Sequence, residues 1–464
     1  MPALALLVSF ALPQALSAQA APQFDYPALQ AEAVDLLQQY LRIQSVNPPG
    51  NELQTARWLH DVLAREGIES QILDTLELPA GRANFYARLK GDGSRKALAL
   101  VHHMDVVPVS TEYWTVDPFA GTIKDGYLYG RGAVDMKSQG IVQLITFIAI
   151  KRAGIPLHRD LVFIANADEE DAGLGSRTFI ARHPDLLQGV EYLLTEGDDS
   201  RIVDGKVVFW AIDVGEKRPY WQRLTVHGPS SHGSLPIPDN AVPRLARAVA
   251  RLGAWQTPIH LIPAVAQYFA AQAQFETGRH RAWLADAAAA LQDSAGRAWL
   301  LSDRMRNALL RNTVAPTMLQ GAEAVNVIPP VATAGVDIRL LPDQDTASFK
   351  RDLIRVIGDT SVHLSTVGDV PPNYDAPLDT DLYRTLVKVS RAMVPGVPVT
   401  PLIGAGASDR PYYAHVGIIC YGILPFKLDT DEYEARVHGN DERISLDNIG
   451  FGVRFYLNTV LEVQ

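Results

Sequence analysis

Three apolar runs in the first two hundred residues end abruptly in titratable side chains. "KALALV" (96–101) leads into His102, His103 and Asp105. "LVFIANA" (161–167) leads into Asp168, Glu169, Glu170 and Asp171, and "YLLT" (192–195) into Glu196. Continuous apolar strands separated by helical sequence form a mostly parallel sheet covered on both faces, an α/β architecture. In such open sheets a ligand site lies beyond the carboxyl ends of the strands. The three runs therefore aim their polar ends at one crevice. "YGRGAVDMKSQ" adds Asp135 at the opening of a helix after a glycine turn. Along an extended strand His103 and Asp105 share a side while His102 points away, so Asp105 can orient the His103 imidazole.

Carboxylates that converge in a poorly solvated crevice repel one another unless they are protonated or neutralised by cations. Lys137 and Arg131 supply some positive charge, and a metal ion supplies more. The single cysteine, Cys420, lies in apolar "VGIICYGILP" and reads as a small buried hydrophobe, so no internal disulfide and no zinc–thiolate cluster can form. A divalent ion held by imidazole and carboxylate fits: zinc leads, with cobalt or manganese compatible. A final histidine is expected from the returning part of the chain, and "RVHGNDERISLDN" offers His438.

At 464 residues the chain is too long for one ordinary core. Two amphipathic helices are predicted near 27–43 and 52–66, the second closed by Gly67. From about 218 the style changes. "YWQRLTVHG" alternates as a strand, a helix follows at 240–253, and farther on come "PPVATAGVDIRLLP", a helix at 346–358 and "SVHLSTVGD". That is the split βαβ order of a ferredoxin-like α+β unit. Between about 262 and 312 an Ala-, Arg- and Leu-rich stretch carries no strand signal and reads as an added helical segment. The expected organisation is a catalytic domain over 21–217 and 371–464, interrupted by a lid or dimerisation domain over 218–370. A net charge of −10 with no basic run argues against nucleic acid as a partner. "MPALALLVSFALPQALSAQAAP" has an apolar core too short to span a bilayer and a small-x-small "AQA" before Ala21. Residues 1–20 therefore read as a signal peptide despite lacking a Lys or Arg before the core, which implies a periplasmic or secreted protein without stable membrane insertion.

"HMDVVP", "GRGAVDMK", "DEE", "EG", "HGPSSHGS", "VNVIPP" and "HGNDERIS" occur in the order and with gaps similar to those of the co-catalytic zinc metallopeptidases. That family includes carboxypeptidase G-type enzymes, carboxypeptidase S, aminoacylase, acetylornithine deacetylase and succinyl-diaminopimelate desuccinylase. The resemblance runs from about residue 30 to 460. It implies two zinc ions bridged by Asp135, one completed by His103 and Glu196, the other by Glu170 and His438. It implies that Asp105 orients His103, and that Glu169 is the general base and acid for attack by a metal-bridged hydroxide on an amide. His232 corresponds to a histidine that helps stabilise the oxyanion, reaching across a homodimer in several members, whereas His227 reads as an ordinary strand residue. Asn326 and Arg339 fall at positions linked with the substrate's carboxylate end, and the loop of "GAGASDRPYY", with Ser408 and Asp409, offers backbone amides for the same group.

The extra helical segment and the signal-like N-terminus resemble carboxypeptidase S and secreted N-acyl amino acid hydrolases more than the compact biosynthetic members. The resemblance thus implies a metallo-carboxypeptidase or N-acyl amino acid amidohydrolase acting on a small peptide or N-acyl amino acid. Glutamate at 196 is more usual in those enzymes than in the dipeptidases and aminopeptidases of the family, which are the alternative. A catalytically silent metal- or peptide-binding protein is a further alternative, disfavoured because Glu169 is retained with the ligands.

Overall fold

The runs that read as buried strands come together in one nine-stranded sheet of the computed structural model, which describes residues 24–198, 200–404 and 406–464. Its middle is parallel: Arg159–Asn166, Arg95–His103, Val190–Thr195 and Ile419–Gly422 lie side by side. Asn84–Leu89 and then Ser70–Leu73 extend one side antiparallel. On the other, Lys206–Glu216 runs antiparallel to Ile419–Gly422 and carries Val399–Gly404 parallel to itself. The sheet is therefore mixed, with the expected parallel strands at its centre.

Both faces are covered, as the unbroken apolar runs require. Along Arg95–His103 the side chains of Leu98 and Leu100 join one core with the helices Tyr26–Leu41, Lys137–Arg152 and Leu446–Glu462. Ala97, Ala99 and Val101 join the other, with Phe179 of Leu174–Arg182 and Tyr413 of Arg410–His415. Cys420 is fully buried in this second core, and burial pushes its thiol up, as expected of a small apolar residue.

Residues 218–366 form a separate antiparallel sheet. Its order is Thr313–Gln320, Val331–Leu340, Gln222–His227 and Val362–Thr366, with Arg218–Pro219 against the end of Val331–Leu340. Ala241–Ala254 and Thr346–Ile357 pack on one face through Leu245, Ala248, Leu252, Phe349 and Leu353. This is the split βαβ order. The stretch 262–312 is helical, from Pro263–Gln272 to Arg304–Leu309, but it leaves this layer. Pro263–Gln272 lies on Val399–Gly404 and Lys206–Glu216, where Val265 and Phe269 join the core of the main sheet. The signal-peptide reading of residues 1–20 lies outside the described residues. Among the described residues no helix is long and apolar enough to cross a membrane.

Phe269 is fully buried at this junction. Phe269→Ala is expected to cost about 3–5 kcal/mol of unfolding free energy, read as a shifted midpoint in urea. A loss below about 1 kcal/mol would mean that the helical segment is not packed on the main sheet as described.

Candidate active site

The carboxyl ends of Arg95–His103, Arg159–Asn166 and Val190–Thr195 deliver His103, the turn with Glu169 and Glu170, and Glu196 to one crevice. Asp135 arrives from the turn before Lys137–Arg152, and His438 follows Thr430–Arg436. His103 Nε2 lies 3.1 Å from Asp135 Oδ1, 3.6 Å from Glu196 Oε2 and 4.0 Å from Glu169 Oε2. His438 Nε2 lies 3.1 Å from both Asp135 Oδ2 and Glu170 Oε2. The two oxygens of Asp135 thus address two different imidazoles.

Charge is crowded here. Burial, then the neighbouring Glu196 and Glu170, hold the Glu169 carboxyl well above the usual range. Burial and Asp135 push Glu170 up to about 7, with His438 opposing. Burial opposes charge on His103, but its contacts with Asp135 and Glu196 hold the imidazole well above its ordinary value. Hydrogen bonds to Asp135 and Glu170 raise His438 to about 10. The two cations close by in sequence do not relieve the crowding. Lys137 is buried and donates to the carbonyls of Tyr40 and Ile43, and Arg131 pairs with Glu442 at 2.7 Å. Glu170 Oε1 is buried without a hydrogen-bond partner among the described residues. Imidazole and carboxylate donors, an orphaned carboxylate oxygen and repelling acids suit divalent metal ions. Two donor sets close enough to share an ion are His103, Asp135 and Glu170, and His103, Glu169 and Glu196.

Asp105 works differently from its expected role. The His103 Nδ1 hydrogen bond, at 3.0 Å, goes to the backbone carbonyl of Asp105, and the Asp105 carboxylate is farther away, at 3.7 Å. That carboxylate instead accepts from the backbone N–H groups of Glu169 and Glu170, each at 3.1 Å, and from Asn47. It fixes the acidic turn while its carbonyl fixes the imidazole. His102 points away, buried beside Tyr40 and Phe163.

Three further residues build the site without standing out in the sequence. Glu442 is buried and accepts from the backbone N–H groups of Gly132, Val134 and Asp135, while Arg131 also donates to Gly439 O. The Arg131–Glu442 pair thereby ties the Asp135 turn to the His438 turn across more than 300 residues of sequence. Glu442 stands inside "HGNDERIS", and an acid after a glycine turn is a common enough feature to be passed over. Asn47 links Asp105 to Asp168, and Arg82 pairs with Asp168 at 2.6 Å and Glu52 at 3.0 Å.

A cavity of about 720 Å³ opens above the acids. Asp135, Glu169, Glu170, Glu196 and His438 line it, together with Trp221 and Arg339 from the smaller sheet. Arg339 is held by Asp337 at 2.9 Å. Ser408 and Asp409 border the cavity, but the Ser408 N–H and hydroxyl, expected to be open to a substrate carboxylate, are engaged within the protein, as is the Asp409 carboxylate. The N–H and hydroxyl of Ser408 both donate to Glu216, and Asp409 accepts from Asn166 and Ser176. His232 and Asn326 are exposed neighbours on the small ribbon Ser231–His232 with Val327–Ile328, and neither is among the residues lining the cavity.

Residues 99–462 match the profile of peptidase family M20/M25/M40. The chain belongs to that family. It is 28% identical to the N-fatty-acyl-amino acid synthase/hydrolase of Xenopus tropicalis over 401 residues, 83% of this chain and 76% of that protein. It is 29% identical to aminoacylase-1 of Sus scrofa over 324 residues, 69% of this chain and 68% of that protein. Human carnosine dipeptidase 1 shares the fold, with a TM-score of 0.70, 17% identity and coverage of 96% of this chain and 99% of that one. As a member of this metallopeptidase family the protein is a hydrolase acting on amide bonds.

Glu442→Gln removes a buried charge whose oxygens hold three backbone N–H groups around Asp135. It is expected to weaken divalent-metal affinity about 10- to 100-fold while circular dichroism stays native. Unchanged metal affinity in the folded variant would remove Glu442 from the support of the site.

Proposed function

We propose that the enzyme hydrolyses the amide bond of N-acyl amino acids, with one zinc ion held by His103, Asp135 and Glu196 and a second by Asp135, Glu170 and His438. The observation that carries this reading is the divided carboxylate of Asp135. An imidazole nitrogen offers one lone pair, and the Nδ1 of His103 is engaged by the Asp105 carbonyl. His103 can therefore serve only one ion, and the shared ligand must be a carboxylate with two oxygens. That assignment leaves Glu169 beside the metals and outside both ligand sets. Cobalt or manganese suits the same donors.

When bound, the ions supply Lewis acidity toward the amide carbonyl and an activated water. Glu169 accepts a proton from the attacking water and returns it to the leaving nitrogen. Its burial beside Glu196 favours the protonated form, which makes the carboxylate a competent proton acceptor. Asp105 keeps this acid and the ligand Glu170 in register through their backbone N–H groups. Arg339 faces the cavity beside Trp221 and suits the free carboxylate next to the scissile amide. A peptide C-terminus presents the same carboxylate, so metallo-carboxypeptidase activity differs only in the acyl half of the substrate. His232 and Asn326 enter this scheme from a closing inserted unit or from a second copy of the chain in a homodimer. The N-terminal apolar stretch with its "AQA" supports export to the periplasm or beyond.

Glu169→Gln is expected to retain bound metal and lower kcat on an N-acyl amino acid at least about 100-fold. The wild-type enzyme is expected to prefer the free acid of that substrate strongly over its carboxamide. Near-normal kcat in the metal-loaded variant would move the proton transfer elsewhere, and equal kcat/KM for acid and carboxamide would remove the carboxylate site.

A further inference from the structure

Arg339 stands in the small sheet and the acids at the edge of the main one, so a substrate that touches both depends on how the two sheets are held. Arg339 lies on Val331–Leu340 between Thr313 of Thr313–Gln320 and Pro219 of Arg218–Pro219. Ile338 and Leu340 turn to the helices of the small unit, so Arg339, Asp337 and Thr313 share the opposite face. Lys217 occupies the junction. It follows directly on Lys206–Glu216 of the main sheet, where its N–H donates to Gly404 O at 2.8 Å, and it precedes Arg218–Pro219. Its side chain is buried. The ammonium donates to the carbonyls of Ala308 and Arg311, at 2.9 and 3.0 Å, and to the Thr313 hydroxyl at 3.1 Å. Burial, and then the charge of Arg339, lower this ammonium to about 7, so the two cations are near enough to act on one another.

Ala308 and Arg311 lie at the end of the added helical segment, whose first helix is rooted in the main core through Val265 and Phe269. The entrance and exit of the segment are fastened to one another. The Thr257 hydroxyl donates to Asn312 O at 2.6 Å, and the His260 N–H to Leu310 O at 2.8 Å. The Asn312 side chain in turn accepts from the N–H of Leu341, two residues beyond Arg339, at 2.8 Å. Resting on the reading that Arg339 binds the substrate carboxylate, we infer that Lys217 is a positioning residue for Arg339 and that the segment of 262–312 sets the distance from Arg339 to the metal ligands. Two sheets joined only by the chain at Lys217 and at 367–371 can pivot there. The segment adds a third attachment, which starts in the main core and ends on the strand beside Arg339. Removing the ammonium leaves two buried carbonyls without this donor and frees Thr313 next to Arg339. The metal ligands stand on turns of the main sheet, outside this network, so their geometry persists while the carboxylate site drifts.

The experiment measures kcat and KM of the zinc-loaded full chain for an N-acyl amino acid that the wild type hydrolyses and for its carboxamide. Lys217→Met, Asn312→Ala and Arg339→Met are compared with the wild type, with metal content checked in each. In Lys217→Met and Asn312→Ala the KM for the free acid is expected to rise at least about ten-fold, the scale of one hydrogen bond to a charged group. Their kcat for the acid, their kcat/KM for the carboxamide and their metal content are expected to hold. Asn312→Ala removes no buried charge and carries the test alone where Lys217→Met does not fold. Loss of the acid preference in Arg339→Met but in neither folded variant overturns the inference and leaves the role of Arg339 in place. A preference that survives Arg339→Met overturns that role and the inference with it. Equal losses on acid and carboxamide, or loss of metal, in the Lys217 and Asn312 variants would mean a general structural role and overturn the positioning of Arg339.

Discussion

Two imidazoles and four carboxylates share one crevice, and the chain spends its neighbouring cations elsewhere. Lys137 is sunk among backbone carbonyls and Arg131 is paired with Glu442, so neither neutralises Asp135, Glu169, Glu170 or Glu196. Burial drives Glu169 and Glu170 toward the protonated form, while the imidazoles of His103 and His438, held above their ordinary values, face Asp135. Divalent ions resolve the same conflict and leave the carboxylates ionised as ligands. The two oxygens of Asp135 contact different imidazoles, as the proposed bridging role requires.

The rest of the architecture keeps this arrangement from relaxing. The parallel strands bring His103, the acidic turn and Glu196 to the same edge because both faces of the sheet are packed. Asp105 binds the backbone of the acidic turn, and Glu442 binds the backbone of the Asp135 turn. Buried carboxylates thus hold backbone N–H groups, and those turns in turn hold the carboxylates that face the cavity. Arg131 and Arg82 neutralise this supporting layer. The arginines Arg82 and Arg131 thus go to the support and not to the acids that face the cavity.

Much of this was legible from the sequence, for a physical reason. Strands buried on both faces are written as unbroken apolar runs, so the point where each run meets an acid or histidine marks a strand end. That signal located His103, Glu169, Glu170 and Glu196. Asp135 and His438 lie on turns and were legible through their glycines and through family resemblance. Glu442, Asn47 and Arg82 were not, because their roles rest on contacts between segments far apart in the chain. Ser408 misled for the converse reason: a glycine-rich loop suggests free amides, but Glu216 takes the Ser408 N–H and hydroxyl. The helical segment of 262–312 was legible as helix, while its partner, the edge of the main sheet, depends on tertiary packing that composition does not encode.

The central claim is that Asp135 joins two metal sites, and the most direct measurement of it is metal stoichiometry per chain. Zinc would be removed with a chelator, restored in slight excess, and counted after unbound ions are washed away. Two ions per chain are predicted for the wild type, one for His438→Ala, with amide hydrolysis lost on chelation and regained with the second ion. Full activity in the metal-free protein, or a single ion per chain in wild type and His438→Ala alike, would contradict the account.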